Sequence, residues 1–290
     1  MGNLIGYIPV NKAEGFTSFD AVAVVRRAKG IKRIGHSGTL DPMATGVLVV
    51  LIGRGTLAAD ILPITDKEYI AGLQFGSATD TGDRTGEIIQ TSDKLINEID
   101  VKNYLERFNT PQEISQIPPM YSAVKVNGKR LYELARKGEV IERKPRTVTI
   151  YNAELLEFNE REQTAKISVK CSSGTYIRTF IEDLGTACKT FAYMTELVRT
   201  SANGVMLSDC TDIRDIKANP EKAEIRPLEN LFLTIPEINL QDEDYRRYKN
   251  GVRINTAEND GQYRVKTGGV FIGIGSVNNH EMKAVKSFVI

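Results

Sequence analysis

The sequence predicts an α+β protein: a mixed, largely antiparallel sheet flanked by helices, with a small β-rich module at its C-terminal end. Strand-like and helix-like segments are interspersed without the regular strand–helix alternation that builds a parallel sheet. The 290 residues exceed what one core ordinarily needs, so two domains are expected. The C-terminal stretch carries a strong hairpin signal, QYRVK and VFIGIGSV joined by Thr267-Gly268-Gly269.

Taken in order, Phe19 to Lys29 (FDAVAVVRRAK) reads as a helix capped by Thr17 or Ser18 and stopped at Gly30. Val47 to Ile52 (VLVVLI) is apolar throughout and rich in β-branched residues, as suits a short buried strand. Glu68 to Phe75 (EYIAGLQF) alternates, placing Tyr69, Ala71, Leu73 and Phe75 on one face. Val101, Tyr104, Leu105 and Phe108 follow helical spacing, so a helix is expected from about Asp100 to before Pro111. Gly128 to Lys137 reads as a short basic helix with Leu131, Leu134 and Ala135 on its apolar side. Ala165 to Cys171 (AKISVKC) alternates as a strand, and the next segment forms a helix with Ile177, Phe180, Ile181 and Leu184 on its stripe. A boundary is expected near Asn230 to Ile238, dividing the chain into 1–232 and 233–290. Beyond it come a helix from Asp242 to Lys249, the hairpin, and a last strand AVKSFVI.

Composition narrows the function. No apolar run approaches the roughly 20 residues a membrane span needs. The N-terminus lacks the basic and long apolar regions of a signal peptide, and Cys171, Cys188 and Cys210 are odd in number and widely spaced. Reduced thiols and a cytoplasmic setting are therefore expected. With only His36 and His280 to join those cysteines, no metal-binding spacing arises. The net charge of +1 hides local excess: six Lys/Arg face two acids between Asp20 and Arg54, and eight face three between Met120 and Ile150. Such stretches suit either a solvated surface or an anionic polymer.

Several residues stand out chemically. In RIGHSGTLDPMATG (Arg33 to Gly46), Asp41 precedes Pro42, which pushes its backbone out of helical geometry. Gly35 and Gly38 are expected to let the chain bend before it. By itself this is a common turn; it also suits a carboxylate aimed into a pocket. Tyr69 begins its strand from the polar DKEY. Arg178 falls in the first turn of a helix, where the dipole disfavours a cation unless an anion sits nearby. The segment from Ile117 to Arg146 mixes cations with Tyr121 and Tyr132, the pairing that phosphates and unstacked bases call for. The acidic TDTGDRTG (Thr79 to Gly86) lacks the closing Glu of a calcium loop and reads as a solvated turn.

Together these segments resemble a known family. GHSGTLDPMATGVLVVLIG resembles the catalytic motif of the TruB-type pseudouridine synthases, which act on uridine 55 in the T-loop of tRNA. TSFDAVAVVRR, DKEYIAGLQFG with TDTGD, QIPPMYSAVKVNGKRLYELARKG and CSSGTYIRTFIEDLG fit the same family in the same order. The C-terminal module resembles the family's PUA-like RNA-binding domain more weakly.

The resemblance implies a pseudouridine synthase catalytic fold, with Asp41 as the nucleophilic aspartate and Arg178 as its partner. It implies a uridine pocket of His36, Tyr69, Tyr176 and Leu197, with Tyr69 also catalytic. It further implies an RNA-gripping thumb at about 120–146, with Lys125, Lys129, Arg130, Lys137 and Arg143 as contacts. Two departures are visible: Asn11-Lys12-Ala13-Glu14 replaces the usual Lys-Pro, and KTFAYMTE before Leu197 lacks the usual small residues.

Pseudouridine formation exchanges a C–N for a C–C glycosidic bond with no net oxidation, so neither cofactor nor metal is expected. The expected partner is the tRNA T-arm, bound by a monomer with no obligate protein partner and no membrane. Asp41 either attacks C1′ or takes the 2′ proton. The rivals are a guide-RNA-dependent synthase of the ribonucleoprotein type, a non-catalytic tRNA-binding or folding protein, and a carboxylate-dependent nucleoside hydrolase.

Overall fold

The computed structural model describes residues 4–122, 124–126 and 128–288. Its centre is a mixed sheet of ten strands. The main path runs Thr211–Asp212, Gly6–Lys12, Thr45–Ile52, Ala192–Ala202, Lys67–Phe75, Thr164–Cys171, Arg146–Asn159 and Gln112–Gln116. Pairing is antiparallel except at two junctions, Gly6–Lys12 with Thr211–Asp212 and Thr45–Ile52 with Ala192–Ala202. The second parallel junction brings two distant chain segments together at the centre. Val198 there pairs with Thr45 and Ile70, linking the Asp41 loop to the strand that carries Tyr69.

Helices cover the sheet where their apolar stripes demand it. Ser18–Lys29 buries Ala21, Val22 and Val25, with Thr17 and Asp20 forming a capping box and Gly30 ending the helix in left-handed geometry. Ile177–Ala187 buries Ile177, Phe180, Ile181 and Leu184 as expected, and Arg178 with them. Phe108 meets Tyr104 and the helix's own Phe180 edge to face.

Several boundaries move. The Val47 strand starts at Thr45, and the helix expected near Asp100 starts at Glu98, because Asn97 and Asp100 cap each other's backbone. The basic helix expected over Gly128 to Lys137 shrinks to Leu131–Ala135. Lys125–Val126 and Lys129–Arg130 form a small hairpin before it, with Gly128 at φ +81°, a value no right-handed helix accepts.

At the C-terminal end a second sheet runs Glu237–Asn239, Gly261–Thr267, Val270–Asn278, Glu281–Ser287 and Ile254–Asn255. The hairpin closes through Gly268 and Gly269, both at positive φ, the type I′ signature. The last strand begins at Glu281, three residues before the expected AVKSFVI, and Val289 and Ile290 lie outside the described residues. The helix Asp242–Lys249 falls where it was expected.

This sheet shares an apolar core with the larger body. Phe232 packs on Phe271 and Phe288, and Ile274 joins Leu228 and Leu231. Among the described residues, no helix is long and apolar enough to cross a membrane.

Candidate active site

Asp41 sits on a loop fastened from several directions. Leu40 exchanges two hydrogen bonds with the Ser18 hydroxyl, at 2.9 Å and 3.1 Å. The Pro42 carbonyl accepts from the Gly15 amide at 2.9 Å and from Lys12 Nζ at 3.3 Å. Lys12 is fully buried, and its ammonium also donates to the carbonyls of Ala13 and Phe16. Burial lowers its pKa to about 8, while the Asp41 charge favours the proton.

Arg199 closes the other side. It is 1% exposed and donates to the carbonyls of Val47, Gly38 and Thr39 at 2.7 to 3.2 Å. The chain bends at Ser37 and Gly38 as expected, though neither Gly35 nor Gly38 takes a positive φ; the glycine that does is Gly46, in the strand that follows the loop. Gly46 has φ +103°, and a Cβ there would fall 2.2 Å from the Arg199 carbonyl oxygen.

Arg178 NH2 meets Asp41 Oδ2 at 3.0 Å. The remaining guanidinium nitrogens are occupied as well: NH1 donates to the Thr81 carbonyl at 3.1 Å, NH2 to the Tyr121 carbonyl at 2.8 Å, and Nε faces Asp83 Oδ2 at 3.8 Å. Anions and carbonyls therefore resolve the conflict between a cation and the first helical turn.

The TDTGDRTG segment is not the solvated turn expected. Asp83 is buried, with its Oδ1 taking bonds from the Thr81 hydroxyl and the Thr85 amide, because this carboxylate backs Arg178 from behind.

The asymmetry of exposure suits chemistry at Asp41. The Arg178 side chain is 6% exposed and the Asp41 side chain 35%. One partner is locked, and the other reaches a cleft of about 390 Å³. Tyr69, Tyr176, Arg178 and Leu197 all line that cleft with Asp41. Its volume lies within the range of small-molecule sites.

Burial pushes the Tyr69 phenol upward, with Arg199 opposing. The Tyr176 backbone is pinned by Gln116, whose side-chain amide bonds its N–H and its carbonyl at 3.0 Å and 3.2 Å. Leu197 is 6% exposed and pairs with Ala71, so the unusual sequence before it leaves its place in the sheet intact.

His36 is not among the residues lining the cleft. It pairs with Val50 and meets the Phe19 ring edge-on at 6.5 Å between centroids. Burial lowers its pKa, Arg199 adds to the effect, and the Gly38 backbone opposes it. Its Nδ1 makes no well-formed hydrogen bond.

In the thumb, Lys129 and Lys137 are exposed. Arg143 is half-buried, donating to the Pro118 carbonyl at 3.2 Å. The side chains of Lys125 and Arg130 lie outside what the structure describes.

Residue patterns alone did not mark Arg199, Asp83 or Gln116 as parts of the site, and read Ser18 only as a helix cap. Each acts through contacts with residues distant in the chain. Among the described residues no group of His, Cys, Asp and Glu could hold a metal ion.

Residues 26–177 match the model of the TruB family pseudouridylate synthase N-terminal domain, and residues 236–286 match that of the pseudouridine synthase II TruB C-terminal domain. The tRNA pseudouridine synthase B of Clostridium kluyveri is 38% identical over 98% of this chain and 99% of its own length. That of Francisella philomiragia is 39% identical over 99% and 95%. A solved Cbf5–Nop10–Gar1 complex contains a chain that superposes with a TM-score of 0.71 at 22% identity, over 98% of this chain and 85% of that one, a likeness of fold. With both family models matched in order and full-length relatives at this identity, the chain belongs to the TruB family of pseudouridine synthases.

Proposed function

We propose that this protein isomerises uridine to pseudouridine in tRNA, at position 55 of the T-loop. The observation that carries the reading is the Asp41–Arg178 ion pair at 3.0 Å, opening on a cleft walled by Tyr69, Tyr176 and Leu197. A uridine inside a stacked loop cannot reach that carboxylate, so the base must first be extruded. His36, outside the cleft, would fill the space the base leaves.

Asp41 assists cleavage of the C1′–N1 bond, either by attacking C1′ or by taking the 2′ proton. Arg178 supplies its fixed counter-charge. The freed uracil turns between the aromatic walls and rejoins C1′ through C5; the C5 proton leaves and N1 gains one. Tyr69 would cover the base, and its hydroxyl would relay the C5 proton. A cleft that retains the detached base matters more here than strong acids or bases.

Residues 1–232 would be the catalytic domain and 233–290 a PUA-like RNA-binding domain. Lys129, Lys137, Arg143 and their neighbours Lys125 and Arg130 would grip the T-arm mainly through phosphates and loop shape. The protein would work as a cytoplasmic monomer. The full-length relatives favour a stand-alone enzyme over the guided type.

The test is an assay on an unmodified T-arm hairpin comparing wild type with Asp41→Asn. Wild type should release the C5 proton and leave a base-resistant C-glycoside. Asp41→Asn should lose at least about 10³-fold in turnover while still binding, since the loss of one carboxylate falls on chemistry. Normal turnover by the variant would refute the mechanism. Equal activity on an unrelated stem-loop would refute the substrate.

A further inference from the structure

The cleft holds more positive charge than its carboxylate answers. Asp41 is matched by Arg178, and Arg178 by Asp83 behind it. Lys67 and Arg146 also line the cleft, and neither has a carboxylate partner among the described residues. Lys67 lies on the same strand as Tyr69, two residues before it, so both side chains leave the same face about 6.6 Å apart along the strand. Among the described residues, its ammonium donates to the Ser173 hydroxyl, at 3.4 Å. Burial and the nearby Arg199 guanidinium lower its pKa, and the group opposing them is the Cys171 thiol rather than a carboxylate. A half-buried cation without an anion is costly to maintain unless a ligand supplies one.

The geometry points to Lys67, with Ser173 and Arg146, as a seat for a backbone phosphate next to the extruded uridine. This rests on the reading of the cleft as a uridine site. With the base against Tyr69 and the ribose at Asp41, the adjoining phosphodiester must run along the cleft wall, to which these three side chains belong. Lys67 then fixes the position of the nucleotide along the strand, a task separate from the thumb's grip on the T-arm. The ammonium acts as a point charge and Ser173 as a hydroxyl donor.

The experiment uses the full chain and a T-arm hairpin, measuring binding against salt for wild type, Lys67→Gln and Lys67→Arg. Lys67→Gln should bind about tenfold more weakly near 0.1 M salt, and its log–log salt slope should be shallower by roughly 0.7 to 1. Lys67→Arg should keep the wild-type slope.

Hairpins with a neutral methylphosphonate at either phosphate flanking the target uridine identify the contact. One of the two should weaken wild type about tenfold and add less than twofold to the loss in Lys67→Gln. Equal slopes for wild type and Lys67→Gln would overturn the seat, as would neutral linkages that cost both proteins the same. Turnover by wild type on the unmodified hairpin is scored separately. Its absence would sink the uridine reading, while the binding comparison would still decide whether Lys67 meets a phosphate.

Discussion

His36 stands apart from the other candidates for the uridine pocket, and its chemistry there has a pH signature. It is held against Val50 and Phe19, and burial with Arg199 nearby keeps its folded pKa below the ordinary 6.5. The unfolded chain therefore takes up the proton at a higher pH than the folded one. Stability should fall as pH drops through 6.5 toward the folded value, because protons then bind preferentially to the unfolded state. Denaturant unfolding at about pH 7.5 and pH 5.5 should show wild type losing more stability than His36→Gln across that interval. An NMR titration should place the His36 midpoint below 6.5. A midpoint above it, or equal losses in the two proteins, would refute the burial account.

At the same scale, Asp41, Tyr69, Tyr176 and Arg178 were legible in the sequence because they lie in motifs that resemble those of a family, whereas Leu197 lies outside those motifs. Asp83 lies in one of these motifs as well, TDTGD, but its place was not legible, because a Thr/Asp/Gly-rich turn looks the same whether it faces water or the back of an arginine.

At the scale of elements, the loop from Gly38 to Val47 works only as part of a three-way junction. The helix start at Ser18 holds Leu40, the strand end at Lys12 holds Pro42, and the strand around Arg199 holds Gly38, Thr39 and Val47. Strand and helix positions were readable from periodicity, since each is a local pattern. The junction was not, because parallel pairing of Thr45–Ile52 with Ala192–Ala202 joins segments about 150 residues apart and leaves no local trace.

The same reasoning separates two glycines that look alike in sequence. Gly46→Ala would place a Cβ on the Arg199 backbone at a φ of +103°, so either the two strands part or the loop moves. It should cost more than about 2 kcal/mol and reduce turnover along with stability. Gly38→Ala meets only the ends of Lys67 and Arg199 at 3.7 to 3.8 Å, at an ordinary φ. Its stability should stay within about 1 kcal/mol of wild type. Chemical denaturation of both variants decides it, and equal costs would mean Gly46 is not the glycine the loop depends on.

Across the whole molecule, the C-terminal sheet is joined to the body by one apolar contact reinforced at its rim. Phe232 is fully buried between Phe271 and Phe288, with Leu228 and Leu231 beside it on the body's side. Around this core Lys266 pairs with Glu229 and Glu237, Lys286 with Asp60, and Arg54 donates to the Ser287 carbonyl. The hairpin signal made the sheet visible in sequence, but LFLTIPEI gave no sign that Phe232 is the anchor rather than part of a linker.

Exposed ion pairs such as Lys286–Asp60 contribute about 0 to 1 kcal/mol, so the aromatic contact dominates the joint. Phe232→Ala should cost about 3 to 5 kcal/mol by removing a large buried ring. Because that ring sits between two sheets, the loss should appear as loosened docking before global unfolding. Limited proteolysis between residues 233 and 241 should accelerate in the variant and release a C-terminal fragment while the larger body stays intact. The larger body, keeping the Asp41 cleft, should then turn over a T-arm hairpin with a raised KM, since the lost surface would bind RNA away from the reacting base. A variant that unfolds in one step with no such fragment would show instead that the two sheets share a single cooperative core.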